Sequence, residues 1–506
     1  MHGSFFRSKD GLFTLLILLF AAALRLFDIS DESLWLDEGY SWWDAQQGLT
    51  ALWTLVPQCD PHPPLYPLLL KLWIAVGGDS VVALRGLSTV FSLLAVFFVI
   101  RAGSRISAQT GWIAGLLFAA APFQIEFAQE ARPYTLVVLG AALILYGFLR
   151  LAHPAHNERS GSGLAAVFIG GAISLWSNNT AIFTVTGAGL VAIGLLWVDS
   201  RSRHLTRGFF LIAISLLLCW LPYVPVYLQQ AQGISSDFWI PYPSPWRVFN
   251  ELRFVFGFAS FQVLWFLFPL WMLGLYCLWS AGKRRAAWIL FGLFLLPALL
   301  NLSVSLLVKP IFLARALIGM APAFYIAVAA AIAALVRPGV RHAALAVYVG
   351  TCVFMTAQLI YAPVRKEPWD QIASALIQQG GGNTLVLAVP NEMALPLRHV
   401  LMRKSKTLEI RGVPADFPAP GLPARYPSGK CAPSVVGQDL SAVVAQTQGR
   451  QTVLFLTRAG NVYDPQDQIR PLLEAGGFKL ARTLRFMPGF VEVHVFQAPE
   501  VMHAAK

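Results

Sequence analysis

The sequence predicts a polytopic α-helical membrane protein with a smaller α/β domain at its C-terminal end. Of its 506 residues, 56% are hydrophobic and only 13% are charged, a composition too apolar for a soluble globular protein. Apolar runs long enough to span a bilayer follow one another up to residue 362, after which Pro, Gly and charged residues return. We therefore expect a transmembrane domain over residues 1–362 and an extracytoplasmic α/β domain over residues 363–506.

About eleven transmembrane helices are predicted from these apolar runs. The first run follows Arg7 and Lys9 in the manner of a signal peptide, but it is long enough to span the bilayer and is interpreted as an uncleaved helix. The runs lie at residues 11–29, 81–100, 108–123, 133–150, 163–177, 180–197, 207–228, 257–281, 286–306, 311–335 and 342–362.

The basic residues behind the net charge of +12 follow the predicted topology. Clusters such as those at 201–207 and 283–285 fall in short segments on the N-terminal side, whereas the opposite short segments carry few Lys or Arg. The positive-inside rule then places the N-terminus in the cytoplasm and, with an odd number of spans in the plasma (inner) membrane, the C-terminal domain outside it. The charge therefore gives no reason to expect a nucleic acid partner.

The first outer segment, residues 30–80, is long and acidic. It predicts an interfacial helix over 37–47, an irregular proline-rich stretch over 57–64 and an apolar helix over 65–76. Since this last helix is too short for a span, we expect it to lie in the outer leaflet.

The sequence pattern of the C-terminal domain predicts both helices and buried strands. We expect helices at 367–379 and 468–474, strands at 384–389, 452–457 and 491–496, and a loop at 412–437. Two of the five cysteines, Cys59 and Cys431, fall in segments predicted to lie outside the cytoplasm, where disulfides can form. The sequence gives no distance between them, so no bond is predicted.

Charged residues in three separate outer-face loops are candidates for chemistry. Asp37 and Glu38 lie among aromatic residues beyond the first run, His62 lies between prolines, and Glu130 and Arg132 mark the next outer turn. Partly desolvated acids at a membrane interface are functional candidates, although ordinary solvated interfacial charges are an equally good interpretation.

A fourth, weaker group contains Lys309 and Arg315. Lys309 could be an anchor whose ammonium group reaches the interface. Arg315 lies about one turn into an apolar run, so its guanidinium needs a protein interior or an anionic group beside it.

Three motifs in these loops resemble those of a known family. They are LWLDE at 34–38, HPPLY at 62–66 and QEARPY at 129–134. In this order they resemble glycosyltransferase family 39 and its bacterial relatives, which are C-type membrane glycosyltransferases that include protein O-mannosyltransferases and aminoarabinose transferases of lipid A. The resemblance covers roughly residues 10–365 and implies the C-type glycosyltransferase fold.

The resemblance implies that a sugar moves, with inversion at its anomeric carbon, from a polyprenyl phosphate carrier to an acceptor at the outer face. The acceptor would be a glycolipid, a polysaccharide or a protein. Asp37 would be the general base, and Glu38 and Glu130 would help position the acceptor or hold a divalent cation. The side chains of Arg132, Lys309 and Arg315 would face the leaving phosphate. Substrate contacts are expected from His62, Tyr66, Arg132, Tyr134, Lys309 and Arg315.

The resemblance does not decide whether Asp37 and His62 bind a divalent cation. Some relatives carry a lysine in place of His62, and relatives differ in whether they need a metal. Two other hypotheses compete with the enzyme: a transporter or flippase of lipid-linked sugars, and a binding module on a membrane anchor. A transporter is expected to have charges near mid-bilayer and an inverted repeat. Here the charges cluster at the outer interface and the sequence shows no such repeat, which favours the enzyme.

Overall fold

The computed structural model describes residues 9–155, 158–198, 200–232, 240–257, 261–360, 366–381, 383–422 and 431–498. The predicted domain boundary at 362/363 and residues 423–430 of the predicted loop lie outside these ranges.

Up to residue 360 the described chain is helical almost throughout. Its α-helices are α1 (Lys9–Leu26), α2 (Leu36–Gln46), α3 (Leu49–Thr54), α4 (Val56–Cys59), α5 (Leu65–Gly77), α6 (Val81–Gly103), α7 (Ala108–Ala120), α8 (Pro122–Ala128), α9 (Tyr134–Ala152), α10 (Gly161–Ser177), α11 (Ile182–Val198), α12 (Thr206–Trp220), α13 (Val224–Gln232), α14 (Pro245–Gly257), α15 (Phe261–Ser280), α16 (Arg284–Leu307), α17 (Ala321–Ala334) and α18 (Pro338–Ile360). Short 3-10 helices lie at Asn179–Ala181, Ser200–Leu205, Leu221–Tyr223 and Ala314–Met320.

Every predicted apolar run contains a helix, but not every one of these helices qualifies as a span. Among the described residues, seven helices are long and apolar enough to cross a membrane, and an eighth is obtained if the bent pair α7 and α8 counts as one span. The number is lower than eleven partly because α1 carries charged residues at both ends and α10 has 17 residues. The 63° bend between α7 and α8 falls where Pro122 begins the second helix, since proline cannot continue a helical hydrogen-bond ladder.

Small residues let α9 and α10 approach each other closely. A Cβ atom on Gly170 would lie 2.4 Å from the carbonyl oxygen of Gly140, so no larger residue fits there. Close contact through small residues is a common way for helices to pack within membranes. The close packing of α9 against α10 holds α10 in place, and the turn that carries Asn178 and Asn179 follows at its end.

The C-terminal part is a five-stranded sheet with helices on both faces, as predicted. Its strand order is β2-β1-β3-β5-β4, in which β1 pairs in parallel with β2 and β3, and β5 is antiparallel to β3 and β4. The strands are β1 (Thr384–Val389), β2 (Glu409–Gly412), β3 (Thr452–Arg458), β4 (Lys479–Phe486) and β5 (Val491–Gln497). The helices are α19 (Trp369–Gln379), α20 (Ala394–Arg403), α21 (Ser441–Thr447), α22 (Gly460–Tyr463) and α23 (Ile469–Ala475), with a 3-10 helix at Asn391–Met393.

Five elements of this domain, α20, α21, α22, β2 and β4, are absent from the sequence prediction. β2 has only four residues, and β4 is exposed along most of its length, so neither shows a clear apolar pattern. α20 contains Pro396 in its first turn, and α21 has only seven residues. In the first outer segment the predicted helices are found as α2 and α5, while the stretch predicted to be irregular begins with the short helix α4.

The first outer segment packs directly against the C-terminal domain. A Cβ atom on Gly39 of α2 would lie 3.0 Å from the ring of Pro396 in α20, and the Tyr40 hydroxyl donates a hydrogen bond to Glu392. Cys59 and Cys431 form a disulfide, with their Cα atoms 5.1 Å apart. The sequence prediction omitted this bond, because the two residues are 372 positions apart and only the folded chain brings them together.

Candidate active site

A cavity of about 890 Å³ lies between the transmembrane helices and the C-terminal domain. Its walls come from the start of α2, the loop at 57–62, the turn after α10, the end of α16 and the loops that follow β1 and β3. Most of its lining is apolar, with a few polar and charged groups, as is usual for sites that bind small molecules. Six of the predicted site residues line it: Asp37, His62, Arg132, Tyr134, Lys309 and Arg315.

Asp37 lies in the first turn of α2 with its carboxylate half-buried in the cavity wall. One carboxylate oxygen, Oδ2, is 3.5 Å from Nη1 of Arg315. Arg315 enters the cavity from the 3-10 helix at Ala314–Met320 and lies 6.0 Å from the ring centroid of Tyr134. The chain thus brings together a base candidate from the first outer segment and a cation that is 278 residues away in sequence.

Arg132 is buried and is held in position by several acceptors. Its Nη1 atom donates to a carboxylate oxygen of Asp60 at 2.9 Å and to the backbone oxygen of Asp37 at 3.0 Å. Burial alone would raise the pKa of Asp60, but the charge of Arg132 and its hydrogen bond hold that pKa below its ordinary value. The positive charge of Arg132 is therefore partly balanced by Asp60 before any substrate binds. Burial and the neighbouring charge of Asp60 raise the pKa of Asp44 well above its ordinary value.

His62 lines the cavity as a neutral imidazole at physiological pH. Burial lowers the pKa of His62 to about 4, against the opposing effect of the Asp60 charge. Its Nε2 atom lies 3.8 Å from Asp60, and no described residue bonds to its buried Nδ1 atom. A neutral ring can bind a hydroxyl group, but it does not supply the positive charge that a phosphate requires.

Glu38 is absent from the described lining of the cavity, and its predicted role in positioning the acceptor or a cation stays a prediction. Its fully buried carboxylate forms an ion pair with Arg85 at 2.7 Å and accepts a hydrogen bond from the backbone N–H of Ala131 at 2.9 Å. Burial alone would raise the pKa of Glu38, but the charges of Arg85 and Lys366 and its hydrogen bonds lower that pKa to about 2. Glu38 therefore fixes α2 against α6 and the turn that carries Arg132.

Glu130 and Tyr66 are also absent from the described lining of the cavity. Glu130 is buried and pairs with Lys366 at 3.0 Å, where the chain enters the C-terminal domain. The Tyr66 hydroxyl is buried and shares a hydrogen bond with Ser88 at 2.8 Å. These contacts place both residues in the packing around the cavity, and their predicted roles stay predictions.

Several cavity residues were not predicted from the sequence. Asn179 donates to the carbonyl oxygen of Pro61 at 2.7 Å, and Gln230 donates to that of Pro57 at 2.8 Å, so these two amides hold the loop at 57–62. Polar residues at the outer end of an apolar run could have indicated Asn179. A further unpredicted group lies at the end of β3 and in the segments that follow β1 and β3: Pro390, Glu392, Arg458, Ala459, Val462 and Tyr463.

The predicted metal ligands, Asp37 and His62, both line the cavity. In the part of the chain that the structure describes, no group of three His, Cys, Asp or Glu side chains could hold a metal ion. Asp60, a carboxylate beside His62, is already bonded to Arg132. These residues do not fit a divalent cation, and we derive no step of the reaction through one.

Comparison with known families supports the resemblance first found in the motifs. Residues 61–225 match a family model described as dolichyl-phosphate-mannose-protein mannosyltransferase, over about a third of the chain. The matched range contains the motifs at 62–66 and 129–134. No curated protein sequence matches the chain.

Comparison with solved structures extends the similarity to nearly the whole chain. The apo structure of ArnT from Cupriavidus metallidurans has a TM-score of 0.58 at 14% sequence identity, covering 96% of this chain and 98% of that one. ArnT of the same organism bound to undecaprenyl phosphate has a TM-score of 0.59 at 13% identity, with the same coverage. The predicted fold, that of a C-type membrane glycosyltransferase with a C-terminal α/β domain, is confirmed.

Proposed function

We propose that this chain, which has the fold of a C-type membrane glycosyltransferase, transfers a sugar from a polyprenyl phosphate carrier to an acceptor at the outer face of the membrane. The observation that carries the proposal is the convergence of Asp37, Arg132, Lys309 and Arg315 on one cavity. A carboxylate and several cations in one site match the needs of a reaction that removes a proton and releases a phosphate.

The cations of the cavity would bind the phosphate of the donor. Lys309 and Arg315 follow the end of α16, and both line the cavity. Guanidinium and ammonium groups bind phosphate oxygens strongly and stabilise the charge that develops as the phosphate leaves. ArnT of Cupriavidus metallidurans, which shares this fold, has been solved with undecaprenyl phosphate bound, which supports a polyprenyl carrier here.

An apolar wall continues the same cavity and suits the isoprenoid chain of such a donor. It is formed by α11 and α16 through Ile182, Phe183, Leu300 and Val304. Apolar surface of this kind binds hydrocarbon because the hydrocarbon leaves water. The donor would then lie with its tail between the helices and its sugar towards Asp37.

Asp37 would act as the base in a single displacement. The acceptor hydroxyl gives its proton to the Asp37 carboxylate while its oxygen forms a bond to the anomeric carbon. The bond between that carbon and the phosphate oxygen breaks, and its electron pair stays on the phosphate. Because the oxygen attacks opposite the leaving group, the configuration at the anomeric carbon is inverted.

We place the cavity and the C-terminal domain on the extracytoplasmic side of the plasma (inner) membrane, with the N-terminus in the cytoplasm. The Cys59–Cys431 disulfide supports this orientation, since disulfides form and persist in oxidising compartments. The distribution of Lys and Arg in the short loops supports the same orientation.

Replacement of the base tests this proposal. We expect Asp37→Asn to lower sugar transfer from a polyprenyl-phosphate donor in membranes by about 10²- to 10⁴-fold, the usual contribution of a general base. Asp31→Asn, which changes an exposed acid of the same outer segment, is the control and should keep full activity. Full activity in Asp37→Asn at equal expression would exclude Asp37 as the base.

A further inference from the structure

The sheet of the C-terminal domain changes direction at β1. From β1 the chain passes through α20 to β2 on one side, and from there through α21 to β3 on the other side. α20 packs on one face of the sheet, and α21 and α23 pack on the opposite face. The loops after β1 and β3 therefore leave the sheet towards opposite faces and open a crevice at the carboxyl ends of the strands, which is where open α/β sheets bind their ligands.

This crevice opens into the cavity of the transmembrane part. Pro390 and Glu392 follow β1, Arg458 is the last residue of β3, and Val462 and Tyr463 lie in α22, which follows β3. All five line the cavity. The displacement proposed above uses none of them. They form the part of the cavity wall that the C-terminal domain contributes.

Arg458 gives this wall a positive charge. Its Nη1 atom pairs with the buried carboxylate of Glu367 at 3.0 Å, while 30% of its side chain stays exposed. A guanidinium has five N–H donors, so donors remain for an anionic ligand. The nearby acid, Glu392, competes weakly with such a ligand, because burial raises its pKa and its carboxylate is already bonded to Tyr40.

The crevice also lies close to the proposed base. Tyr40, which bonds to Glu392, is three residues after Asp37 in α2. Three residues advance an α-helix by about 5 Å. An acceptor bound at the crevice therefore needs to reach only a short distance to place a hydroxyl group beside the Asp37 carboxylate.

We propose that the crevice between the loops after β1 and β3 is the acceptor subsite, and that Arg458 binds an anionic group, phosphate or carboxylate, of a glycan or glycolipid acceptor. This inference rests on the proposed function and adds the chemical class of its acceptor. Val462 and Tyr463 shape the same wall and limit which acceptors fit.

Three variants of the full-length protein test the subsite. Arg458→Gln removes the charge, and Val462→Trp fills the crevice without removing any polar contact. The control is Arg450→Gln, which changes an arginine near the opposite end of β3 that also pairs with a glutamate, Glu409, at 2.7 Å. Each variant is expressed in cells that lack the protein, and mass spectrometry of the envelope glycolipids and glycans measures the transferred sugar.

Binding of undecaprenyl phosphate to each purified variant provides the second readout. We expect Arg458→Gln to lower the product by about tenfold or more, as the loss of one charge-assisted hydrogen bond implies. Val462→Trp should also lower the product, because the larger side chain excludes the acceptor from the crevice. Binding of undecaprenyl phosphate should be unchanged in both variants. Arg450→Gln should behave as the wild type in both assays. The glycosylated product should carry a phosphate or a carboxylate, and phosphatase treatment distinguishes the two.

Three results would overturn the inference. They are wild-type product levels in both crevice variants, a parallel loss of undecaprenyl phosphate binding, which would assign the crevice to the donor, and a product without an anionic group. A wild-type protein that forms no product would overturn the proposed function itself, and that result differs from the selective loss in two variants.

Discussion

Asp37 and Glu38 are neighbours in the sequence but occupy different environments. The Asp37 carboxylate is 30% exposed in the cavity wall beside Arg315, whereas the Glu38 carboxylate is fully buried against Arg85. Adjacent residues on a helix point about 100° apart, so one acid can face the cavity while the other faces the packed helices. The position of each acid on α2 therefore places one carboxylate in the cavity wall and the other in the packed interior.

Glu38→Gln is expected to destabilise the fold. The substitution leaves the buried Arg85 without its ionised partner, which costs about 3–5 kcal/mol in comparable cases. We expect the Tm of the purified protein in detergent to fall clearly for Glu38→Gln, whereas Asp37→Asn, in the adjacent residue, should keep the wild-type Tm. Equal Tm values for the two variants would contradict the structural role of Glu38.

Because His62 is buried as a neutral imidazole, we expect the folded protein to lose stability at mildly acidic pH. Its pKa is about 4 in the folded protein and about 6.5 in an unfolded chain, so between these values the unfolded chain binds more protons. The contribution of His62 to the free energy of unfolding is therefore fully present above pH 6.5 and is lost as the pH falls towards 4. In a series of Tm measurements across this range, His62→Gln should show a smaller decrease than the wild type.

The control for this experiment is His342→Gln, which changes an exposed histidine of α18. It should follow the pH dependence of the wild type. A His62→Gln variant with the same pH dependence as the wild type would show that His62 is not buried in a neutral state.

The sequence could identify some site residues and not others. Asp37, Arg132, Lys309 and Arg315 stand out because each is a charge beside a long apolar run, where charges are costly. The structural partners of Glu38 and Glu130, which are Arg85 and Lys366, are distant in sequence or belong to a different domain. Without these pairings, a buried structural acid cannot be told apart from a catalytic one.

The loop at 57–62 is held from three directions. Arg132 binds Asp60, the amides of Asn179 and Gln230 bind the carbonyl oxygens of Pro61 and Pro57, and the disulfide joins Cys59 to the C-terminal domain. The first three residues of this loop end α4 and the other three have no regular secondary structure, so these bonds define the path of the segment along the cavity. We expect its position to matter for activity even where its residues do not contact a substrate.

Removal of the disulfide tests the role of this loop. Cys59→Ser combined with Cys431→Ser should lower stability, typically by about 2–5 kcal/mol for a native disulfide, and should lower transfer activity because the cavity wall loosens. A reducing agent should produce the same changes in the wild type and no further change in the double variant.

The matched control for the disulfide is Cys277→Ser in α15, where the cysteine forms no disulfide. It should keep its Tm, its activity and its sensitivity to the reducing agent. A wild type that retains its Tm and activity after verified reduction would contradict the proposed role of the bond.

Long elements were easier to predict than short ones. Helices of the membrane part carry uninterrupted apolar runs, and β1 and β3 are buried on both faces, so their sequences are distinctive. β4 is an edge strand with most of its residues exposed, and β2 is four residues long, so local sequence gives little indication of either. These two strands complete a sheet whose other members already indicate its class.

At the scale of the whole molecule, two parts of the chain build one cavity. The transmembrane part supplies Asp37, the cations Arg132, Lys309 and Arg315, and the apolar wall, and the C-terminal domain supplies Arg458 and its neighbours. A donor held by the first part and an acceptor held by the second would meet at Asp37. The bonds between α2 and the C-terminal domain keep the two parts in this arrangement.

The most direct measurement is product analysis with the purified protein reconstituted in liposomes with a polyprenyl-phosphate-linked sugar and an envelope glycolipid extract. We predict that mass spectrometry will detect a new glycosidic product and released polyprenyl phosphate, and that NMR will find the anomeric configuration inverted relative to the donor. Movement of the lipid-linked sugar across the bilayer without any glycosidic product would contradict the account and favour a transporter.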